Sequence, residues 1–146
     1  MNIYDKALQF IKIRPHSSGE LKKKLTLRGF NVEEVQEVTE TLKSQGLIND
    51  SAYAENYLAE LIRNKTFGFY GLLAKLLQRG IEKTEAERVL KEQLSQEVEK
   101  TIALKLVGRK DWDKLKLAQT LSRKGFRTQV ISTIIQNLDA TSLPDA

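Results

Sequence analysis

Apolar residues recur at intervals of three and four along this chain, in short blocks broken by Gly, Pro, Ser, Asn and Asp. That period marks helices with one buried face, whereas strict alternation, the signature of a half-buried strand, is absent from any convincing stretch. Ile3, Ala7, Leu8 and Ile11 form one stripe. Ala54, Tyr57, Leu58, Leu61 and Ile62 form a second, and Val98, Ile102, Leu106 and Val107 a third. After each stripe comes a block that repeats in register without gaps. Its first copy is Leu21, Leu25, Gly29, Phe30, Val35 and Val38. The second is Leu72, Leu76, Gly80, Ile81, Ala86 and Val89, and the third Leu117, Leu121, Gly125, Phe126, Ile131 and Ile134, at offsets of 51 and 45 residues. A basic residue precedes each glycine, as Arg28, Arg79 and Lys124.

Two leucines four apart share a helix face, and a glycine four further on suits the left-handed residue just beyond a helix end. With Gly29 at that position, Leu25 and Phe30 become the pair whose side chains meet in a Schellman stop; Leu76 with Ile81 and Leu121 with Phe126 repeat it. Asn31 with Glu34 reads as a cap and capping-box partner for the helix that follows, and Thr84 with Glu87 as a second such pair, while Thr128 lacks the acid. Ser17 or Ser18 is expected to cap the second helix and Asp50 the fourth, with Gln45-Gly46 ending the third.

The pattern therefore predicts an all-α protein of nine helices, as three tandem three-helix repeats forming an elongated array of small units. The expected units are residues 1–48, 49–95 and 96–138, followed by a disordered tail at 139–146. Connectors are short, at 14–18, 46–50, 66–71 and 108–111, which favours helices packing on their sequence neighbours. No Gly or Pro interrupts residues 84–107, so the sixth and seventh helices are either continuous or broken near Ser95.

Composition narrows the chemistry. The 146 residues include no Cys and one His, which removes disulfides, cysteine-ligated metals and Cys–His nucleophilic pairs, and leaves His16 as the one imidazole for any triad. His16, in the turn before a helix, is expected to be structural, and Asp50 a cap and not a reactive carboxylate. There is no GxxxxGK phosphate loop, and Gly68-x-x-Gly71 alone carries little weight. No cofactor, no metal and no catalytic residue is expected. The N-terminal residues lack the uninterrupted apolar core of a signal peptide and no window approaches a membrane span, so a cytoplasmic protein is expected.

In chain order, RPHSSGEL at 14–21, KLTLRGF at 24–30, LINDSAYAENYL at 47–58 and KLLQRGI at 75–81 resemble the RecX family of bacterial RecA regulators. The shared pattern is an Arg-Pro-x-Ser turn, a Leu-x-x-Lys-Gly-Phe stop, a Leu-x-Asp-x-x-Phe-Ala segment, here with Tyr53-Ala54, and a second stop ending in Ile. The resemblance spans about residues 5–138 and is thinner in the last third. The loop 67–71, Phe-Gly-Phe-Tyr-Gly, departs from the Gly-Pro or Gly-basic sequences of such relatives. The resemblance implies an elongated helical molecule that docks in the groove of RecA filaments on single-stranded DNA, as a modulator, usually an inhibitor, and not an enzyme.

Charge nominates where contact would occur. Overall, 24 Lys plus Arg against 19 Asp plus Glu is a mild bias, but residues 12–28 carry a local +5 and residues 100–127 a local +7. With Leu21 and Leu25 inward, Lys22, Lys23, Lys24 and Arg28 fan over an exposed face. With Leu117 and Leu121 inward, Lys110, Lys116, Arg123, Lys124 and Arg127 do the same near the other end. Arg79 belongs to the same class by its place before Gly80. Such clusters suit phosphates or an acidic protein groove through long-range attraction. Phe67, Phe69 and Tyr70 sit in a connector and are candidate partner anchors, and Trp112, Tyr53 and Tyr57 are further aromatic candidates, with core packing favoured for Tyr57.

The rival is a sequence-specific helix-turn-helix regulator reading DNA with the ninth helix, where Arg127, Thr128, Gln129, Ser132, Thr133, Gln136 and Asn137 offer groups suited to base edges. Against it, the third helix carries Glu33, Glu34, Glu37 and Glu40, which repel a duplex. The expected partner is thus the RecA filament on single-stranded DNA, with direct nucleic-acid contact an added option, no membrane association, and a monomeric chain.

Overall fold

The computed structural model of the chain describes residues 1–142, and all nine elements in that span are helices. The first group is α1 (Ile3–Ile13), α2 (Ser18–Leu27) and α3 (Val32–Ser44); the second α4 (Asp50–Asn64), α5 (Phe69–Gln78) and α6 (Lys83–Gln93); the third α7 (Gln96–Val107), α8 (Lys114–Arg123) and α9 (Thr128–Ser142). Ser17 caps α2 in a full capping box with Glu20, and Asn31 caps α3 by accepting the Glu34 N–H. The sixth and seventh helices are separate, because Leu94 leaves the helical region and Ser95 caps α7 by accepting from Val98.

All three stops form as the sequence predicts. Gly29, Gly80 and Gly125 have φ of +94°, +79° and +85°. In each, the following apolar residue donates its N–H to the carbonyl of the second leucine: Phe30 to Leu25 at 3.3 Å, Ile81 to Leu76 at 3.2 Å and Phe126 to Leu121 at 3.0 Å. The leucines of the repeat, Leu21, Leu25, Leu72, Leu76, Leu117 and Leu121, are wholly buried. Removing one such side chain to Ala costs about 2–5 kcal/mol in a packed core.

Several expected boundaries differ. Asn49, not Asp50, caps α4, because its side chain accepts the Ala52 N–H and leaves the Asp50 carboxylate to reach another helix. α6 starts at Lys83 after Glu82 with no side-chain cap, so Thr84 lies inside the helix and not before it. Residues 139–142 of the expected tail continue α9, and 143–146 lie outside the described residues.

The cores do not follow the three repeats one to one. α1 to α3 enclose their own cluster around Ala7, Leu21, Leu25, Val35 and Leu42. The other six helices share a second, from Ala54 and Leu58 through Leu90 and Ile102 to Phe126 and Ile134.

Consecutive groups meet through the same joint, made twice. The stop of the later group seats on the first turn of the middle helix of the earlier one. Ser17 Oγ donates to the Arg79 carbonyl, and Gly68 N–H donates to the Lys124 carbonyl at 3.0 Å; Tyr70 N–H adds a bond to the Gly125 carbonyl at 2.8 Å. Backbone approaches backbone so closely that a methyl on Gly80 would stand 2.8 Å from the Glu20 nitrogen, and one on Gly125 would stand 2.7 Å from Gly71 Cα. A carboxylate from the first helix of the later group completes each joint. Asp50 accepts from both the Ser18 N–H (2.7 Å) and the Ser18 hydroxyl, and Glu99 accepts the Phe69 N–H at 3.0 Å. Both carboxylates sit at helix N-termini, where free N–H groups and the helix dipole favour negative charge.

Candidate functional site

The joints divide the basic residues into those engaged by partners at a joint, where they are half-buried, and those left on outer faces. Arg127 is held. Its Nε donates to the fully buried Glu99 carboxylate at 2.6 Å, its backbone N–H to the same side chain at 2.9 Å, and its guanidinium lies 4.7 Å from the Phe69 ring centre. Arg79 is held as well, donating to the Tyr53 hydroxyl at 3.1 Å and stacking 4.5 Å from the Tyr57 ring. The bond to the Tyr53 hydroxyl raises its already high pKa, against the opposing effect of partial burial. Both residues precede or follow a stop glycine that is pressed onto the neighbouring group, so their side chains land in the joint and not on a free face.

The outer residues form two faces. On α2, Lys23 and Arg28 are exposed and Lys22 half-exposed. Lys24 turns back to donate to His16 Nε2 at 2.7 Å and sits 5.2 Å from the Phe10 ring, which Arg28 also overhangs at 5.4 Å. His16 itself is buried, with Nδ1 on the Arg14 carbonyl at 2.9 Å; burial and then the Lys24 charge push its pKa down. It is a structural residue of the turn. On α8, Lys116 and Arg123 are exposed and border a shallow depression with Trp112, Gln119 and Thr120. Lys110 covers the Trp112 ring at 4.6 Å, and the Trp112 indole donates to the Val107 carbonyl at 3.0 Å. Lys124 lies over Phe67 at 4.6 Å. None of Lys22, Lys23, Arg28, Lys110, Lys116 or Arg123 makes an ion pair among the described residues.

Between the two faces the chain is electrically balanced. Residues 49–95 carry seven basic and seven acidic side chains, and Arg88 on α6 is surrounded by Glu85, Glu92 at 2.7 Å and Glu55 at 3.4 Å. The positive surface therefore lies on the first and third groups.

The connector aromatics separate. Phe67 is half-buried between Lys75 and Lys124, and Phe69 is half-buried under Arg127, both packed against the large core. Gly68 and Gly71 draw this loop onto residues 124–126, which turns the two rings inward, contrary to their expected exposure. Tyr70 alone of the three is largely exposed, at 58%. On the ninth helix the exposed Gln129 bonds Gln96, and Thr133 donates to the Gln129 carbonyl at 2.9 Å, so both side chains already have a partner. Sequence reasoning did not find Glu99. Its only trace is an acid within a helix stripe, at a position next to apolar Val98 and one turn from Ile102.

Among the described residues no group of three or more His, Cys, Asp or Glu side chains is arranged to hold a metal ion, and no helix is long and apolar enough to cross a membrane. Repeated three-helix groups, joined stop to helix start and bearing positive charge on the outer groups, define an all-helical repeat protein. Residues 4–42 match the family model for the first three-helix domain of RecX. Over 139 residues the chain is 34% identical to the regulatory protein RecX of Prosthecochloris aestuarii, covering 92% of this chain and 90% of that one. It is 32% identical over 138 residues to the RecX of Pelodictyon phaeoclathratiforme, covering 90% and 86%. The crystal structure of RecX from Lactobacillus salivarius superposes with a TM-score of 0.80 at 28% identity, covering 94% of this chain and 95% of that one. The chain belongs to the RecX family of regulatory proteins.

Proposed function

We propose that this chain binds filaments of RecA on single-stranded DNA and modulates them, in the inhibitory sense, as part of DNA repair, recombination and the SOS response. It acts by binding and not by catalysis, as a monomer in the cytoplasm. The observation that carries this reading, beyond family membership, is the pair of unpaired basic faces on either side of a charge-balanced middle group. Two faces set apart on one body engage two places on a long, repeating, negatively charged partner, and linkage of the two contacts raises the effective concentration of each for its site. Lys22, Lys23 and Arg28 form the first face, and Lys110, Lys116 and Arg123 the second, with Lys24 and Lys124 at their margins. Tyr70 is the exposed aromatic available as an anchor.

The engaged Arg127, Gln129 and Thr133, together with the exposed Glu33, Glu34 and Glu37 of α3, favour the filament over a specific duplex site. The test is RecA ATPase on single-stranded DNA with and without the protein, paired with co-sedimentation and duplex footprinting. Suppressed ATPase and co-sedimentation with the filament are expected. A discrete footprint on duplex DNA lacking RecA, at equal or greater affinity, would transfer the function to the helix-turn-helix alternative.

A further inference from the structure

The joint that holds one group on the next is built three times on one side and filled only twice. The stops at Gly80 and Gly125 are each covered by the first turn of a helix, and the stop at Gly29 has the same backbone, φ +94° with the Phe30-to-Leu25 bond, but no described residue within 4 Å of where a side chain would grow from it. In the filled joints the carbonyls at these positions, Arg79, Lys124 and Gly125, accept hydrogen bonds from Ser17 Oγ, Gly68 N–H and Tyr70 N–H. At the first stop the matching carbonyls belong to Arg28 and Gly29. Around them stand Leu27 and Val32, 77% and 73% exposed, where the other two stops carry the polar residues Gln78 and Lys83, and Arg123 and Thr128.

We infer that the stop Arg28–Phe30 is a docking knob for the first turn of an α-helix belonging to the protein subunit of the filament, a turn with a small residue at the contact and acidic side chains beside it. This rests on the function proposed above and specifies the partner surface. The physical match is close. A helix start offers free N–H groups and favours Asp and Glu in its first turn, whereas this stop offers free carbonyls, two exposed apolar side chains, and the positive charge of Lys23, Lys22 and Arg28. Small residues are required because the two filled joints bring backbone to within about van der Waals contact of backbone, with Ser17-Ser18-Gly19 or Gly68 on the receiving side. A second copy of this chain fits poorly. The corresponding turn it would offer, at the start of α8, is capped by Asp113 and continues Lys114-Leu115-Lys116 with no glycine, and Arg109, Lys110, Lys114 and Lys116 outnumber Asp111 and Asp113, so side-chain bulk and a net like charge would meet the stop.

The experiment uses Gly29→Asn. Asparagine tolerates the left-handed region and meets no neighbour here, so the chain folds, yet its side chain projects into the space the partner's backbone would fill. Gly46→Asn is the control, since Gly46 has φ +74°, is equally open, and belongs to no joint. Arg28→Glu tests the charge without touching the glycine. With thermal melts confirming folding, co-sedimentation with filaments of RecA on single-stranded DNA is expected to weaken at least tenfold for Gly29→Asn and Arg28→Glu and to stay at the parent level for Gly46→Asn. If the parent binds and Gly29→Asn binds equally, the docking knob is overturned while the proposed function stands; if the parent itself does not bind, the function falls first. The chain has no native cysteine, so Leu27→Cys carries a single photocrosslinker beside the stop. Adducts to a helix start of RecA support the inference, and adducts to DNA or to another copy of this chain overturn it.

Discussion

Glu99 of α7 accepts the backbone N–H of Phe69, 30 residues earlier, and so caps a helix that has no capping side chain of its own. The same carboxylate takes both the backbone N–H and the Nε of Arg127, which ties the starts of α5 and α9 to one fully buried acid. Such an acid is stable inside only because three donors converge on it.

Removing Glu99 is therefore expected to be among the most damaging single changes in the chain. Glu99→Ala strands the Arg127 charge and uncaps α5, and a loss of about 3–5 kcal/mol is expected, as for other broken buried pairs. Denaturant unfolding measures it. A double-mutant cycle with Arg127→Ala should show coupling above about 0.5 kcal/mol, and additive losses would contradict the shared-cap geometry.

The three stop glycines are predicted to differ in sensitivity although they share one motif. Gly29→Ala incurs only the left-handed backbone strain, about 1–3 kcal/mol. Gly80→Ala and Gly125→Ala add a collision with Gly19–Glu20 or Gly71 and should unfold at lower temperature than Gly29→Ala. Equal melting temperatures for all three would mean that the joints yield without cost.

Charge reversal should discriminate the outer faces from the joints. Lys22, Lys23 and Arg28 to Glu, or Lys110, Lys116 and Arg123 to Glu, are expected to leave the circular dichroism spectrum intact. Each set should also abolish most of the RecA ATPase inhibition proposed above, measured at physiological salt. Parent-like inhibition by well-folded variants would reduce the faces to solubilising surface. By contrast, Arg79→Glu should fail through stability, because its partner Tyr53 and the Tyr57 ring lie inside a joint.

His16 predicts a pH effect with a definite sign. Burial holds its folded pKa below the usual value near 6.5, so the unfolded chain takes up the proton more readily. Its contribution to stability is complete above about pH 6.5 and is lost as pH falls through the depressed folded value. The parent should lose more melting temperature between pH 7.5 and 5.5 than His16→Gln does, and parallel losses would show that other groups dominate the acid limb.

Much of this molecule is legible in local pattern. Leu25, Gly29 and Phe30 lie within six residues of one another, and their helix stop depends only on backbone rules that operate at that range, so the stop and its two copies follow from the residues alone. Ser17 with Glu20 is equally local. Caps read from one residue type were less secure. Asn49 and Asp50 are both good caps in adjacent positions, and the choice between them was made by Ser18, 32 residues away, which claims the Asp50 carboxylate.

The sequence by itself determined the helical periods, three glycine stops, the buried leucines and the two clusters of positive charge, because helix period, capping and net charge are set by neighbours along the chain, whereas the break between α6 and α7 came from the structure. Only the tertiary structure decided which basic residues face outward. Arg28, Arg79 and Lys124 occupy the same place in the repeat, yet Arg79 lies against Tyr53 and Tyr57, Lys124 lies over Phe67, and Arg28 stands beside an open stop. The difference comes from what packs on each glycine, a contact between residues about 50 or more positions apart that no local pattern encodes.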